Sequence, residues 1–127
     1  NGEIPSSDMV YEDDKVFALL DINPVSNGHL IVMPKNHSES MLDISDDDAS
    51  HLIVVVKKLS NAVLKAVGAG GINILSNNKA PAGQIIEHPH IHIVPRFSDD
   101  NLSEWQSHKY KVGEKEKYVE KIKSSII

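Results

Sequence analysis

Three histidines, His88, His90 and His92, stand at alternate positions in "GQIIEHPHIHIVPRF" (residues 83–97), in a chain that has no cysteine. The run around them is apolar and reads as a strand. Side chains on a strand alternate between its faces, so the three imidazoles are expected on one face, with Ile91 and Ile93 on the other beside Glu87 and Pro89. An unperturbed imidazole titrates near about 6.5, and its neutral form is a good nucleophile at ordinary pH. Tying Nδ1–H to an acceptor leaves Nε2 with an available lone pair. A second histidine nearby can hydrogen-bond phosphate oxygens and protonate a leaving group. Three rings on one face thus supply a nucleophile, an acid and a support, which together suit phosphoryl or nucleotidyl chemistry.

A metal is the competing use. On an extended strand His88 and His92 lie ~13 Å apart, whereas a histidine nitrogen with its zinc bond reaches only about 6.5 Å from Cα. One tetrahedral ion cannot gather all three, although two could share one with ligands from elsewhere. No metal or other cofactor is expected. Pro89 cannot donate to a sheet ladder, so the strand is either at an edge there or not yet paired.

The elements that must carry these residues are legible in outline. "KVFALLDI" (residues 15–22) and "HLIVMP" (residues 29–34) read as strands joined through an Asn27-Gly28 turn, hence a hairpin. Ser45 reads as a helix N-cap, with Asp46, Asp47 and Asp48 in the first turn. Leu52, Val55, Val56, Leu59, Val63 and Val67 recur at helical spacing, and the run from Gly68 to Gly71 ends them. Val54, Val55 and Val56 favour strand, but the length and capping of the segment outweigh them. "INILS" (residues 72–76) is a third strand, "NNKAPAG" a loop, and the histidine strand follows. A polar stretch from Phe97 to Gly113 leads to "EKEKYVEKIKSSII", a surface helix. The expected fold is α+β: a mainly antiparallel sheet, one long helix packed on it, and a C-terminal helix. The other sheet face is left for a site or a partner.

The 127 residues suit one domain, and no apolar run approaches the ~18 residues of a membrane span. A net charge of −5 excludes general attraction to nucleic acid or anionic lipid, so any phosphate recognition must be local. Without cysteine there is no disulfide, thiolate metal site or cysteine nucleophile, which fits a reducing, cytoplasmic setting. The chain opens on "NGEIP" with no initial methionine, which leaves room for residues upstream.

"HPHIHIV" resembles the His-φ-His-φ-His-φ-φ signature of the histidine triad (HIT) family of nucleotide hydrolases and transferases. "YEDDKVFALLDINPVSNGHLIVMPKNH" is similar to that family's N-terminal hairpin, "NNKAPAGQ" to its phosphate-side loop and "IVPR" to a common bacterial and archaeal ending. The likeness covers roughly residues 4–97, leaving 98–127 as a C-terminal extension. It implies that His90 attacks the α-phosphorus and becomes a nucleotidyl-histidine, while His92 contacts the phosphate and assists the leaving group. His88 would support the nucleophile, partly through its backbone carbonyl, and His29 would sit beside the triad. Asp21 would hold the ribose hydroxyls with Ile22 on the nucleoside; Asn77, Gly83, Gln84 and the Ile85 N–H would line phosphate and ribose. Asp21 and Asn77 also have a plain use in turns. His37, His51 and His108 read as surface residues.

The resemblance implies hydrolysis of purine nucleoside phosphoramidates or related nucleoside monophosphate derivatives, releasing AMP or GMP. A dinucleoside polyphosphate (Ap3A/Ap4A-type) hydrolase is the nearest alternative, and a non-catalytic nucleotide sensor or interaction module is the alternative from another class. It also implies a homodimer with merged sheets, and Trp105 near substrate or partner. The sequence departs from the pattern in three places. Pro89 replaces the usual aliphatic residue, as in the related galactose-phosphate uridylyltransferases. These carry glutamine where this chain has His92, a difference that favours water as the final acceptor. Ile85 replaces a hydroxyl residue. The short, often cysteine-bearing segment ahead of "NGEIP" in relatives is not in this sequence, so a cysteine-dependent zinc site is not expected.

Overall fold

The computed structural model describes residues 8–101 and 107–126, and it begins with a strand that the sequence pattern did not announce. β1 (Met9–Glu12) is four residues long and half exposed, and it pairs antiparallel with β2 (Val16–Leu20) through a register shift between Met9 and Tyr11. Asp13 builds the connection: its Oδ1 accepts the N–H groups of Lys15 and Val16, both at 2.8 Å. The second hairpin is the expected one. β3 (Leu30–Pro34) lies antiparallel to β2, with Val16 opposite Pro34 and Leu20 opposite Leu30. Gly28 turns the chain at φ 102°, and a Cβ there would come within 3.1 Å of Val67 Cγ1. Both the backbone and the packing therefore call for glycine.

α1 (Asp46–Val67) starts where the capping pattern places it: Ser45 is extended and its hydroxyl accepts the Asp48 N–H at 3.1 Å. Gly68, at φ 67°, ends it in the left-handed region. Leu52, Val55, Val56, Leu59 and Val63 are buried on one stripe, so burial of two valines outweighs their strand propensity. β4 (Gly71–Leu75) and β5 (Ile91–Arg96) complete an antiparallel sheet of order β1-β2-β3-β5-β4. Val16, Ala18, Leu30, Val32, Ile91 and Ile93 from three strands face α1 and form the core with it. Ile31, Met33 and His92 lie on the opposite face by alternation.

The histidine segment differs from the expected continuous strand. Pairing begins only at Ile91, opposite Val32, so His88, Pro89 and His90 precede the ladder. Pro89 is fully buried where no backbone donor is needed, which is the unpaired one of the two readings of this proline. α2 (Glu114–Ser125) buries none of its residues. Among the described residues no helix is long and apolar enough to cross a membrane. Trp105 falls outside the described residues.

Candidate active site

The free face of the sheet holds a cavity of about 400 Å³ whose floor is Ile31 and Met33 of β3 and His92 of β5. Asp21 and Asn23, just past β2, complete the lining together with His90 and with Asn77, Gly83, Ile85 and Ile86 from the β4–β5 connection. A space of this size suits a small ligand.

The hydrogen bonds assign a proton to each ring. His90 Nδ1 lies 2.9 Å from the His88 carbonyl oxygen, which can only accept, so Nδ1 carries the hydrogen. Nε2 of the neutral ring keeps its lone pair and has no hydrogen-bond partner among the described residues. His88 turns its own ring the other way and donates from Nε2 to the Pro34 carbonyl at 2.9 Å. That bond fixes the unpaired residues ahead of β5 to the end of β3, and with them the carbonyl that orients His90.

A second relay starts from the backbone. The Val25 N–H donates to His29 Nδ1 at 3.0 Å, so the His29 hydrogen sits on Nε2. His29 Nε2 is 2.9 Å from His92 Nδ1 and donates to it, leaving the His92 hydrogen on Nε2. The His90 and His92 rings stand edge to face with centroids 5.1 Å apart. One offers a lone pair and the other an N–H. Burial holds the His29 imidazole below its ordinary pKa, against the pull of the Asp21 carboxylate 3.5 Å away. Burial likewise lowers His92, helped by the neighbouring His90 and His29 and opposed by Asp21.

Asp21, His29 and His92 place three ligand-type atoms within 4.8 Å of one another, so a cation has to be considered. Ligation through His29 Nε2 would move its hydrogen to Nδ1, directly against the Val25 N–H. The trio therefore fits a hydrogen-bonded relay and does not fit a metal.

The HIT domain family model matches residues 1–99. The chain belongs to the HIT family. It is 47% identical over 105 residues to an uncharacterized HIT-like protein of Borreliella burgdorferi, covering 80% of this chain and 74% of that one. It is 41% identical over 106 residues to the adenylylsulfatase HINT3 of Arabidopsis thaliana, covering 84% of this chain and 52% of the plant protein. With the adenosine 5'-monophosphoramidase hnt1 of Schizosaccharomyces pombe it shares 35% over 99 residues, 78% of this chain and 71% of that one. In structure it resembles SMU.412c of Streptococcus mutans, with TM-score 0.88, 36% identity, and 94% of this chain and 77% of that chain covered.

Within this HIT chain, Asp21, Asn77, Gly83, Ile85, His90 and His92 share one cavity, and His29 stands directly behind His92. Asp21 serves a turn as well, since its Oδ1 accepts the Asn23 N–H at 2.8 Å. For Asn77 the turn role falls to its neighbour: Asn78 accepts the Met41 N–H and donates to Ser76, while the Asn77 side chain has no hydrogen-bond partner among the described residues. Gly83 adopts φ 96°. Two of the expected substrate contacts stand apart. Ile22 is exposed and outside the cavity lining. Gln84 has both ends of its amide occupied, by the Lys79 N–H at 2.6 Å and by the Glu39 and Ile86 carbonyls at 2.6 and 2.8 Å.

Ile31 and Met33 were not singled out in the sequence, although alternation along β3 marks them as the partners of core-facing Leu30 and Val32. No sequence signal points to the Val25 N–H or the Pro34 carbonyl. His37 is exposed beside His88, and His108 is exposed beside Tyr110. His51 is half-buried and bonded to Asp13 at 2.8 Å, so it belongs to the packing of α1 on the β1–β2 turn.

Proposed function

We propose that this chain is a nucleotide hydrolase that cleaves purine nucleoside phosphoramidates, or similar derivatives of a nucleoside monophosphate, through a covalent nucleotidyl-His90. The observation that carries the reading is the His88 carbonyl on His90 Nδ1, which holds the hydrogen there, so that the lone pair of the neutral imidazole is on Nε2, beside the His92 ring. The names of the Arabidopsis and fission-yeast relatives, an adenylylsulfatase and a monophosphoramidase, support the same reaction class.

In the first step the His90 Nε2 lone pair forms a bond to phosphorus as the P–N bond breaks, its electron pair leaving with nitrogen. Bound phosphate brings negative charge against His92 and favours its doubly protonated form. Its Nε2 proton then passes to the departing amine. Protonating His92 at Nδ1 displaces the His29 N–H, for which Asp21 Oδ2, 3.5 Å away, is the alternative acceptor. In the second step water attacks phosphorus, the P–Nε2 bond breaks, and the proton lost by water returns to His92. Asp21 and Asn77, both in the cavity lining, suit ribose and phosphate, and the Ile85 N–H suits a phosphate oxygen.

We also infer a homodimer. The outer edge of β4 carries no strand among the described residues, and Ile74 and Leu75 on it are exposed. A second copy along that edge would cover unpaired backbone groups and merge two sheets.

Intact mass after brief mixing with an AMP–amine conjugate and acid quench tests the mechanism. The wild type is expected to gain one adenylyl group and His90→Ala none. Equal, near-zero turnover by both proteins with equal AMP binding would instead identify a nucleotide sensor.

A further inference from the structure

The Ile86 carbonyl accepts two hydrogen bonds, one from Gln84 Nε2 and one from the His88 N–H, both at 2.8 Å. The bond from His88 closes a three-residue turn about Glu87, a turn that carries a single backbone bond of its own. The second donor on the same oxygen ties that turn to Gln84. The Gln84 amide is in turn engaged at every group: Nε2 also donates to the Glu39 carbonyl at 2.6 Å, and Oε1 accepts the Lys79 N–H at 2.6 Å. Both of its donors are spent, and none is left for a phosphate oxygen. The Gln84 N–H reaches the Lys79 carbonyl at 3.3 Å, so residues 79 and 84 bond each other twice around the turn at Ala80–Ala82. Lys79 holds φ 77° there, a conformation that favours glycine and that the two bonds help to maintain. The far anchor is held as well, because Asn78 Oδ1 accepts the Met41 N–H at 2.8 Å and ties the loop after β3 to the same connection.

We propose that Gln84 is a positioning residue for the nucleophile: anchored on the loop after β3, it fixes the Ile86 carbonyl and, through it, the His88 backbone that orients His90. The role rests on the reading of His90 as the nucleotidyl acceptor and adds to it what aims the ring. It stands in place of the substrate contact that likeness to the family implies at this position. Pro89 stiffens the link. A residue before proline is confined to extended backbone, and Pro89 itself is fully buried, so little freedom remains between the His88 N–H and the His88 carbonyl. That carbonyl holds the hydrogen on His90 Nδ1 at 2.9 Å. Hydrogen bonds and one stiff residue thus run unbroken from the Glu39 carbonyl to the reacting imidazole. With the Gln84 donors removed, the turn about Glu87 keeps only its own bond, the His88 carbonyl loses its aim, and the His90 hydrogen distributes between Nδ1 and Nε2.

Two variants separate the groups of the amide. Gln84→Met removes all of its bonds, whereas Gln84→Glu keeps an acceptor for the Lys79 N–H and removes both donors. Three quantities are measured in each and in wild type: the His90 tautomer by nitrogen NMR of the imidazole, the single-turnover rate of adenylyl labelling by an AMP–amine conjugate, and the affinity for AMP. Wild type is expected to carry the His90 hydrogen on Nδ1. Both variants should show it partly on Nε2 and should label about 10- to 100-fold more slowly, with AMP affinity within about twofold, as for a misplaced reacting group. A fall in AMP affinity that matches the fall in rate makes Gln84 a substrate contact and overturns the proposal. Unchanged rate and tautomer in both variants overturn it too, since Gln84 then only braces the loops, and so does failure of both variants to fold. Label in wild type with either of these results overturns the role of Gln84 alone, whereas absence of label in wild type overturns the reading of His90 and this role with it.

Discussion

At the scale of single residues, the site depends on where three hydrogens sit. Val25 and His29 leave His92 no choice but to carry its hydrogen on Nε2, facing the cavity. Removing that constraint by His29→Ala should cost about 10- to 100-fold in kcat, a fraction of what a general acid supplies. His29→Gln, which can accept at one amide atom and donate at the other, should recover part of the loss; steady-state rates across pH compare the two. The same residues link stability to pH. His29 and His92 have lowered pKa values in the fold, so below about pH 6.5 the unfolded chain binds more protons than the folded one. Stability is then full above about pH 6.5 and falls on acidification, by at most about 1.4 kcal/mol per pH unit for each group. Urea midpoints near about pH 7.5 and about pH 5 are expected to show the lower value in acid, with a smaller difference in His29→Gln. Asp13 acts in a more acidic range. Partial burial raises its carboxyl, but bonds from the Lys15 N–H, His51, Tyr11 and the Val16 N–H together outweigh burial and hold it well below the usual carboxylate range. Its contribution is lost only as pH falls below ordinary carboxylate values.

At the scale of elements, α1 and the β2–β3 hairpin are the parts on which everything else rests. Ser45→Ala removes the acceptor for the Asp48 N–H and should cost about 1 kcal/mol. Leu52 is fully buried between helix and sheet, so Leu52→Ala should cost about 2–5 kcal/mol, seen as a lower denaturation midpoint with an unchanged slope. Both elements were legible because their signals are local: a capping serine, a turn dipeptide, apolar residues at helical spacing. β1 was not, since four half-exposed residues at an edge carry little periodicity. The histidine segment misled in one respect. Alternation is a property of a paired strand, yet pairing starts only at Ile91, so the His88 and His90 rings are placed by their own hydrogen bonds.

At the scale of the whole molecule, the sheet separates structure from chemistry, with the core on the α1 face and the candidate site on the other. α2 buries nothing within the chain, so deleting residues 114–127 should leave the thermal midpoint of the remaining domain essentially unchanged. If the β4 edge pairs two copies, Ile74→Lys with Leu75→Glu should give a monomer in sedimentation while circular dichroism stays that of the folded domain. By itself the sequence determined the order of the main elements, the long helix and its caps, and the types of side chain that meet at the cavity. Each of these is written in spacing along the chain. Only the tertiary structure decided that Gln84 is spent on holding loops, that Asn78 rather than Asn77 makes the turn, and which nitrogen of each histidine carries hydrogen. Those outcomes depend on backbone groups such as the Val25 N–H and the Pro34 carbonyl, which every sequence possesses and only a fold can aim.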